Sequence, residues 1–112
     1  MSRTEDREMQ EREHRDEQSG KLRYWADELR ALSRQLWDED RKNGWHVRIL
    51  AEPQLTVLVT IGGAEFARFV RNEVSIIGVF EGSEPELFSN RYDAFDAAVK
   101  RRMARQQLRG AP

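Results

Sequence analysis

Few side chains in this chain could carry acid–base or nucleophilic chemistry, and His46 is the one base expected in its packed part. Ser75, Thr56 and Thr60 are expected on the same side of one β-sheet as this histidine. A hydroxyl nucleophile needs an adjacent base that a third group orients, and the chain has no G-x-S-x-G nucleophile elbow. Catalysis through His46 is therefore the third of the functions that we consider, and we predict that the chain is not an enzyme.

The closest approach to a metal-ligand cluster surrounds His14, with Glu11, Glu13 and Asp16 nearby. In so polar a segment we expect solvated charges, because a metal site needs at least three ligands held in a fixed geometry. The chain has no cysteine, which excludes disulfides, thiolate metal sites and cysteine nucleophiles. It also has no glycine-rich phosphate-binding motif. We predict no metal and no cofactor.

The asymmetric charge feature is an arginine stripe near the C-terminus, where residues 97–112 hold five basic side chains and no acidic one. On a helix, four of them fall within about 100° of arc: Arg101, Arg102, Arg105 and Arg109. Guanidinium groups suit bidentate contacts with phosphates or carboxylates. Three alternatives stay open: the stripe binds nucleic acid, binds an acidic protein partner, or is solvated or paired within the chain.

Two helices and a sheet must position these residues, and the first helix is predicted over residues 21–42. Its apolar side chains follow the three-and-four spacing of one helix face: Leu22, Trp25, Leu29, Leu32 and Leu36. Ser19 and Gly20 are typical of a helix start, and Asn43 and Gly44 of a helix end. The stripe predicts either a helix that covers a sheet or the seam of a helix-mediated homodimer.

Residues 45–81 predict four antiparallel β-strands with turns at 52–54, 62–63 and 71–73. Residues 64–70 fit a helical turn as well, and we favour a strand because a turn signal stands on each side. Gly78 is predicted to mark a β-bulge. The second face of this sheet, the mixed sheet face, combines polar and aliphatic positions: Arg48, Leu50, Leu58, Ile77 and Val79. Either another element covers this face, or it is a protein-interaction site.

The second helix is predicted over residues 90–108, after a loop at 82–90. Asn90 and Asp93 resemble a capping box, and the expected sheet-facing side carries Tyr92, Phe95, Val99 and Met103. Residues 1–20 are almost entirely polar and are predicted to be a charged arm, either disordered or a solvated helix. The sequence thus predicts an α+β fold: helix, four-stranded antiparallel β-meander and helix, preceded by the charged arm, with residues 21–112 as one domain.

With 112 residues, 19 basic and 20 acidic side chains, the chain is neither a strongly basic nucleic-acid coat nor an acidic tail. No stretch reaches the ~20 apolar residues of a membrane span, and the N-terminus lacks a secretory signal pattern, so we expect no membrane partner and a cytoplasmic location. We predict a non-enzymatic accessory, regulatory or inhibitor module that self-associates through the first helix or the mixed sheet face. It would bind a protein partner through the arginine stripe or the arm. The alternative is a nucleic-acid-binding accessory protein that uses the stripe.

Overall fold

The computed structural model describes the backbone of residues 3–110 and the side chains of residues 20–107. Its helices and strands are segregated along the chain, as the α+β prediction requires, with one strand more than predicted. In chain order they are α1 (Arg3–Asp38), α2 (Asp40–Asn43), β1 (His46–Leu50), β2 (Thr56–Ile61), β3 (Ala64–Arg71), β4 (Ile76–Phe80), β5 (Glu86–Phe88) and α3 (Arg91–Gly110).

The five strands form one antiparallel sheet in chain order, so each strand pairs with the next. The tight turn between β2 and β3 is made by Gly62 and Gly63, whose φ values of 60° and 84° suit glycine. Residues 64–70 lie in β3, which confirms the strand interpretation. The meander follows from short β-branched and aromatic runs separated by turn residues.

The β-bulge lies in β3 and not at Gly78, so the bulge prediction for that glycine is wrong. Val59 pairs with Ala67 and Thr60 with Glu65, which leaves Phe66 as the extra residue of the bulge. Gly78 pairs regularly with Phe69 and Glu86. A glycine is needed there because a Cβ would lie 2.7 Å from Cε2 of Phe88 and 3.0 Å from Cε1 of Phe69.

β5 was predicted as part of a loop. It has only three residues between Pro85 and Ser89, which is too short for an alternating pattern to be recognised. Its pairing with β4 places Phe88 in the core, where the ring is 8% exposed.

α1 packs across β1, β2 and β3. Leu29, Leu32 and Leu36 are fully buried against the sheet, and Trp25 is 8% exposed. The indole N–H of Trp45 donates to the Leu36 carbonyl at 2.8 Å, near the end of the helix. The indole N–H of Trp25 donates to the Glu73 carbonyl at 3.1 Å, in the turn before β4. These two bonds hold the sheet-covering part of α1 at its two ends.

The helix bounds differ from those predicted. α1 runs without a break from Arg3, so Ser19 and Gly20 do not begin it. It ends at Asp38, and the short α2 continues to Asn43. Gly44 then ends α2 as predicted, with a left-handed φ of 65° and an N–H bond to the Asp40 carbonyl at 2.7 Å.

α3 lies beside α1 on the same face of the sheet, over β4 and β5. Asn90 caps it, because its side-chain oxygen accepts the Asp93 N–H at 2.9 Å. The sheet-facing side of α3 is one position away from the predicted one: Ala94 and Ala98 are fully buried and Arg102 is 8% exposed. Phe95 and Val99 are only partly buried, and Tyr92 and Met103 are 56% and 50% exposed. Small alanines allow the helix axis to approach the sheet closely.

Candidate protein-interaction surfaces

The second face of the sheet lies opposite both helices. The pairing register aligns Arg48, Leu58, Arg68 and Val79 in one row across four strands. A neighbouring row aligns Val70, Ile77 and Leu87. We call these residues and Leu50 the open sheet face, since no element of residues 3–110 packs over them. All five residues of the predicted mixed sheet face lie on it.

Leu58, at the centre of this face, has an arginine on each of the two neighbouring strands. Leu58 is only 9% exposed although it lies outside the main core cluster. Its register neighbours are Arg48 on β1 and Arg68 on β3, whose aliphatic stems are long enough to cover it. The Arg68 guanidinium lies 2.6 Å from the Glu65 carboxylate, and this hydrogen bond raises the pKa of Arg68 above its ordinary value.

The aliphatic side chains of the open sheet face are concentrated on β3, β4 and β5, with Leu50 on β1. Leu50, Val70, Ile77 and Val79 are half-buried, and Leu87 is 69% exposed. Antiparallel sheets often leave one face in water, and that face is then mostly polar. A continuous aliphatic block on such a face is the pattern of a docking surface.

The residues predicted for helix-mediated self-association are core residues of the single chain. Leu29, Leu32 and Leu36 are 0% exposed and Trp25 is 8% exposed, whereas Leu22 is 37% exposed. Of the two alternatives for this stripe, the structure has the one in which the helix covers the sheet. We therefore no longer assign self-association to these five residues.

The arginine stripe makes contacts within the chain. Arg101 forms an ion pair with Glu86, donates to the Ser83 hydroxyl at 2.9 Å, and lies 4.3 Å above the centre of the Phe80 ring. Arg105 lies 3.1 Å from the Glu81 carboxylate.

The most buried arginine of the stripe is Arg102, whose Nε donates to the Asn43 carbonyl at 2.6 Å. The predicted fourth member, Arg109, has a side chain outside the described residues. Three of the four arginines thus tie α3 to the rest of the fold, which matches the alternative of pairing within the chain. The feature of the sequence that could have indicated this pairing is the acidic segment after β4, which holds Glu81, Glu84 and Glu86.

One of the three hydroxyl residues predicted near His46 pairs with it in the sheet. Thr60 is its register partner, while Thr56 and Ser75 lie at the opposite end of the sheet. The Trp37 ring lies 6.2 Å from the imidazole, centroid to centroid. Within residues 20–107 no carboxylate contacts the ring, and no three metal-ligating side chains cluster. The His14 cluster lies outside the described side chains.

A groove of about 360 Å³ lies between α2 and α3. Phe95, Val99 and Met103 supply its apolar wall, and Glu39 and Lys42 stand at its rim. These two charged groups lie 4.0 Å from each other, so they form an exposed pair. A small-molecule site needs polar groups that converge on the ligand, and this groove offers mainly hydrocarbon.

A partly buried ion pair joins α1 and α3. The Arg91 guanidinium lies 2.6 Å from the Glu28 carboxylate, and the Arg91 backbone N–H also points to that carboxylate at 3.4 Å. The hydrogen bond to Glu28 raises the pKa of Arg91. The pair therefore fixes the start of α3 against α1 and has a structural role.

Sequence reasoning missed part of the exposed apolar surface. Arg68, Val70 and Leu87 belong to the open sheet face. Strand alternation on β3 could have placed the first two there, and Leu87 was missed because β5 was not predicted. Trp37 and Ile49 are also exposed, at 53% and 44%.

Comparison of the chain with protein-family models, with curated proteins and with solved structures found no match. In the part of the chain that the structure describes, no helix combines the length and the apolar character that crossing a membrane requires.

Proposed function

We propose that this protein is a non-enzymatic protein-interaction module that self-associates and binds a protein partner through the open sheet face. One observation carries the proposal: both long helices pack on the same face of the sheet, and the other face holds a continuous aliphatic block. Apolar centres with polar surroundings are typical of protein interfaces. We place the module in the cytoplasm, in keeping with a chain that has no cysteine.

The chemistry of the face indicates the chemistry of its partner. Ile77, Val79 and Leu87 offer an apolar strip on β4 and β5. Arg68 has its carboxylate partner within the chain, whereas Arg48 has no carboxylate within ion-pair distance among residues 20–107. A matching partner would lay aliphatic or aromatic side chains on the strip and an acidic group against Arg48.

The size of the face sets the expected strength of binding. Five strands spaced about 4.8 Å apart, each about 17 Å long, cover roughly 400 Å² in projection. Specific interfaces usually bury about 800 Å² on each partner, so this face alone belongs at the small, transient end of the range. We expect reversible binding of the kind that suits an accessory or regulatory protein.

The nucleic-acid alternative is not part of the proposal. It depends on arginines of the stripe, and three of the four are engaged within the chain. Their contacts account for the clustering of basic side chains on α3 without an external ligand.

Site-specific photo-crosslinking in cells that express the protein tests the proposal. A photoreactive residue in place of Leu87 lies on the open sheet face, and one in place of Tyr24, which is 57% exposed on α1, serves as the matched control. We expect a protein adduct from position 87 that is absent at position 24. The adduct should disappear in an otherwise folded Ile77→Lys plus Val79→Glu variant. Equal adducts from both positions, or persistence in that variant, would contradict the proposal.

A further inference from the structure

The outer edge of β1 is the exposed edge of the sheet. β1 has a strand neighbour on one side only, and its pairing with β2 is regular over all five residues. Unpaired strand edges offer a row of backbone donors and acceptors to another strand, and proteins usually protect them with charged side chains, proline, bulges or short length. β1 contains neither proline nor bulge, and its one permanently charged side chain is Arg48. The opposite edge, β5, is only three residues long and is held by the bond between Glu86 and Arg101.

Two large apolar side chains accompany this edge on the helix-covered face. Ile49 points to the same face as the buried Val47 and Val57 but is 44% exposed, because α1 does not reach over it. Trp37, in the last turn of α1, is 53% exposed and lies beside His46 at the start of β1. An exposed edge strand with exposed apolar side chains next to it is a template for further strand pairing.

We infer that β1 pairs with β1 of a second copy of this chain, antiparallel and around a two-fold axis, so that two sheets join into one of ten strands. This inference gives a location to the self-association in the proposed function and rests on that part of it. A second copy is the fitting occupant because an antiparallel edge is self-complementary: each copy presents the same strand to the other.

The side chains of β1 favour a register with the axis at Ile49. Ile49 then lies opposite its own equivalent on the helix-covered face. On the open sheet face Arg48 lies opposite Leu50, so the arginine stem contacts an aliphatic side chain. An axis at Arg48 would place two arginines directly opposite each other, and like charges in that position are destabilising.

In such a dimer a space would remain between the two α1 helices, and Ile49 and Trp37 of both copies would fill it. α1 crosses β1, β2 and β3, so if its mean position is taken over the middle strand, the two helices of such a pair would be separated by three strand spacings, about 14 Å. Packed helices lie about 8–10 Å apart, so a gap of roughly 5 Å would remain between them. The two-fold axis places both Ile49 side chains at the centre of this gap and one Trp37 at each end. The exposed apolar groups would then be covered.

Sedimentation velocity of the full chain across the micromolar range tests the inference. One strand edge and two apolar side chains per copy form a small interface, so we expect reversible dimerisation. Ile49→Lys should weaken dimerisation by about tenfold or more, because it places two ammonium groups, one from each copy, opposite each other at the two-fold axis. Val74→Lys, at a 72% exposed position in the turn between β3 and β4, is the matched control and should leave the dimer unchanged.

Two complementary measurements locate the axis. Ile49→Lys and Ile49→Glu proteins, each monomeric, should form a mixed dimer when combined. Ile49→Cys should give a disulfide-linked dimer on mild oxidation, because opposite Cα atoms in an antiparallel pair are about 4.5–5.5 Å apart, within disulfide range. The chain has no other cysteine, so Leu87→Cys is a clean control that should not cross-link at the same rate.

The outcomes separate this inference from the proposed function. A wild-type chain that stays monomeric at every concentration overturns the β1 pairing and the self-association, and leaves partner binding by the open sheet face unaffected. A dimer that survives Ile49→Lys but is lost in Ile77→Lys plus Val79→Glu would lie on the open sheet face, and that result also overturns the β1 pairing.

Discussion

Gly78 shows how one missing methyl group permits the aromatic packing of the core. The Phe80 ring lies 5.7 Å from the Phe69 ring and 6.5 Å from the Phe88 ring, and these neighbours close over the glycine. We expect Gly78→Ala to destabilise the protein by about 1–3 kcal/mol, because a Cβ would force the rings to move. Urea unfolding measures this. Gly20→Ala is the matched control in α1, where a Cβ meets nothing within 4 Å, and it should be neutral or stabilising by up to about 1 kcal/mol. Equal effects of the two substitutions would contradict the role assigned to Gly78.

The two indole hydrogen bonds differ in burial, and this predicts unequal effects of removing them. Trp45→Phe removes a buried bond and leaves the Leu36 carbonyl only the longer, 3.3 Å bond from the Glu39 N–H, whereas Trp25→Phe leaves the partly solvated Glu73 carbonyl open to water. We expect the first change to cost about 0.5–1.5 kcal/mol more than the phenylalanine packing alone would, and the second to cost clearly less. Chemical denaturation of both variants tests this, and a larger loss for Trp25→Phe would refute it.

Residue-scale prediction from sequence succeeded where spacing alone decides burial. Leu29, Leu32 and Leu36 follow one helix face, and all three are fully buried. Spacing alone did not decide the burial of Leu58, which is 9% exposed and lies between Arg48 and Arg68 of the neighbouring strands. Strand alternation predicts the face on which a side chain lies, but its cross-strand neighbours follow only from the register.

At the scale of elements, Arg102 is the side chain that holds α3 against the end of α2. We expect Arg102→Met to destabilise the protein by about 1.5–3 kcal/mol, because the stem is kept while the charge-assisted bond to the Asn43 carbonyl is lost. Lys100→Met, at an exposed position of the same helix, is the control and should change stability by less than about 0.5 kcal/mol. Thermal or urea unfolding distinguishes them, and a neutral Arg102→Met would show that α3 docks through its alanines alone.

Element prediction was reliable where local chemistry fixes a boundary. Asn90 was recognised as a helix cap and Gly44 as a helix end, and both act as such. β5 was missed because a three-residue strand has no period of its own and forms by pairing with β4. The sheet-facing side of α3 was misplaced because large apolar residues were preferred over Ala94 and Ala98, whereas close packing on the sheet selects small ones.

At the scale of the whole molecule, α1 is longer than the sheet that it covers. Its 36 residues span about 54 Å, whereas β3, the longest strand, has eight residues and spans about 27 Å. We expect removal of residues 1–19 to lower the helical circular-dichroism signal while changing the free energy of unfolding by less than about 0.5 kcal/mol, because Met1 and Met9 are the only large apolar residues of that segment. Loss of cooperative unfolding in the shortened chain would contradict this.

The candidate surface was only partly accessible to sequence reasoning at this scale. Alternation on β1, β2 and β4 placed Arg48, Leu58 and Val79 on one face, and the register agrees. Which face the helices cover, and that both cover the same one, depends on the path of the chain between elements. The exposed positions of Trp37 and Ile49 follow from where α1 crosses the sheet, which no local pattern encodes.

Because the three tryptophans differ in exposure, the intrinsic fluorescence of the chain can report dimerisation and unfolding separately. Trp25 and Trp45 are buried and hydrogen-bonded to the backbone, whereas Trp37 is 53% exposed beside β1. The emission of a Trp37→Phe variant should therefore be bluer and less quenched by acrylamide than that of the wild type. As the wild-type concentration is raised, covering of Trp37 should shift the emission in the same direction, while the two buried indoles report unfolding. A shift of the emission wavelength on dilution would thus measure dimer dissociation in the unmodified protein, without any attached dye.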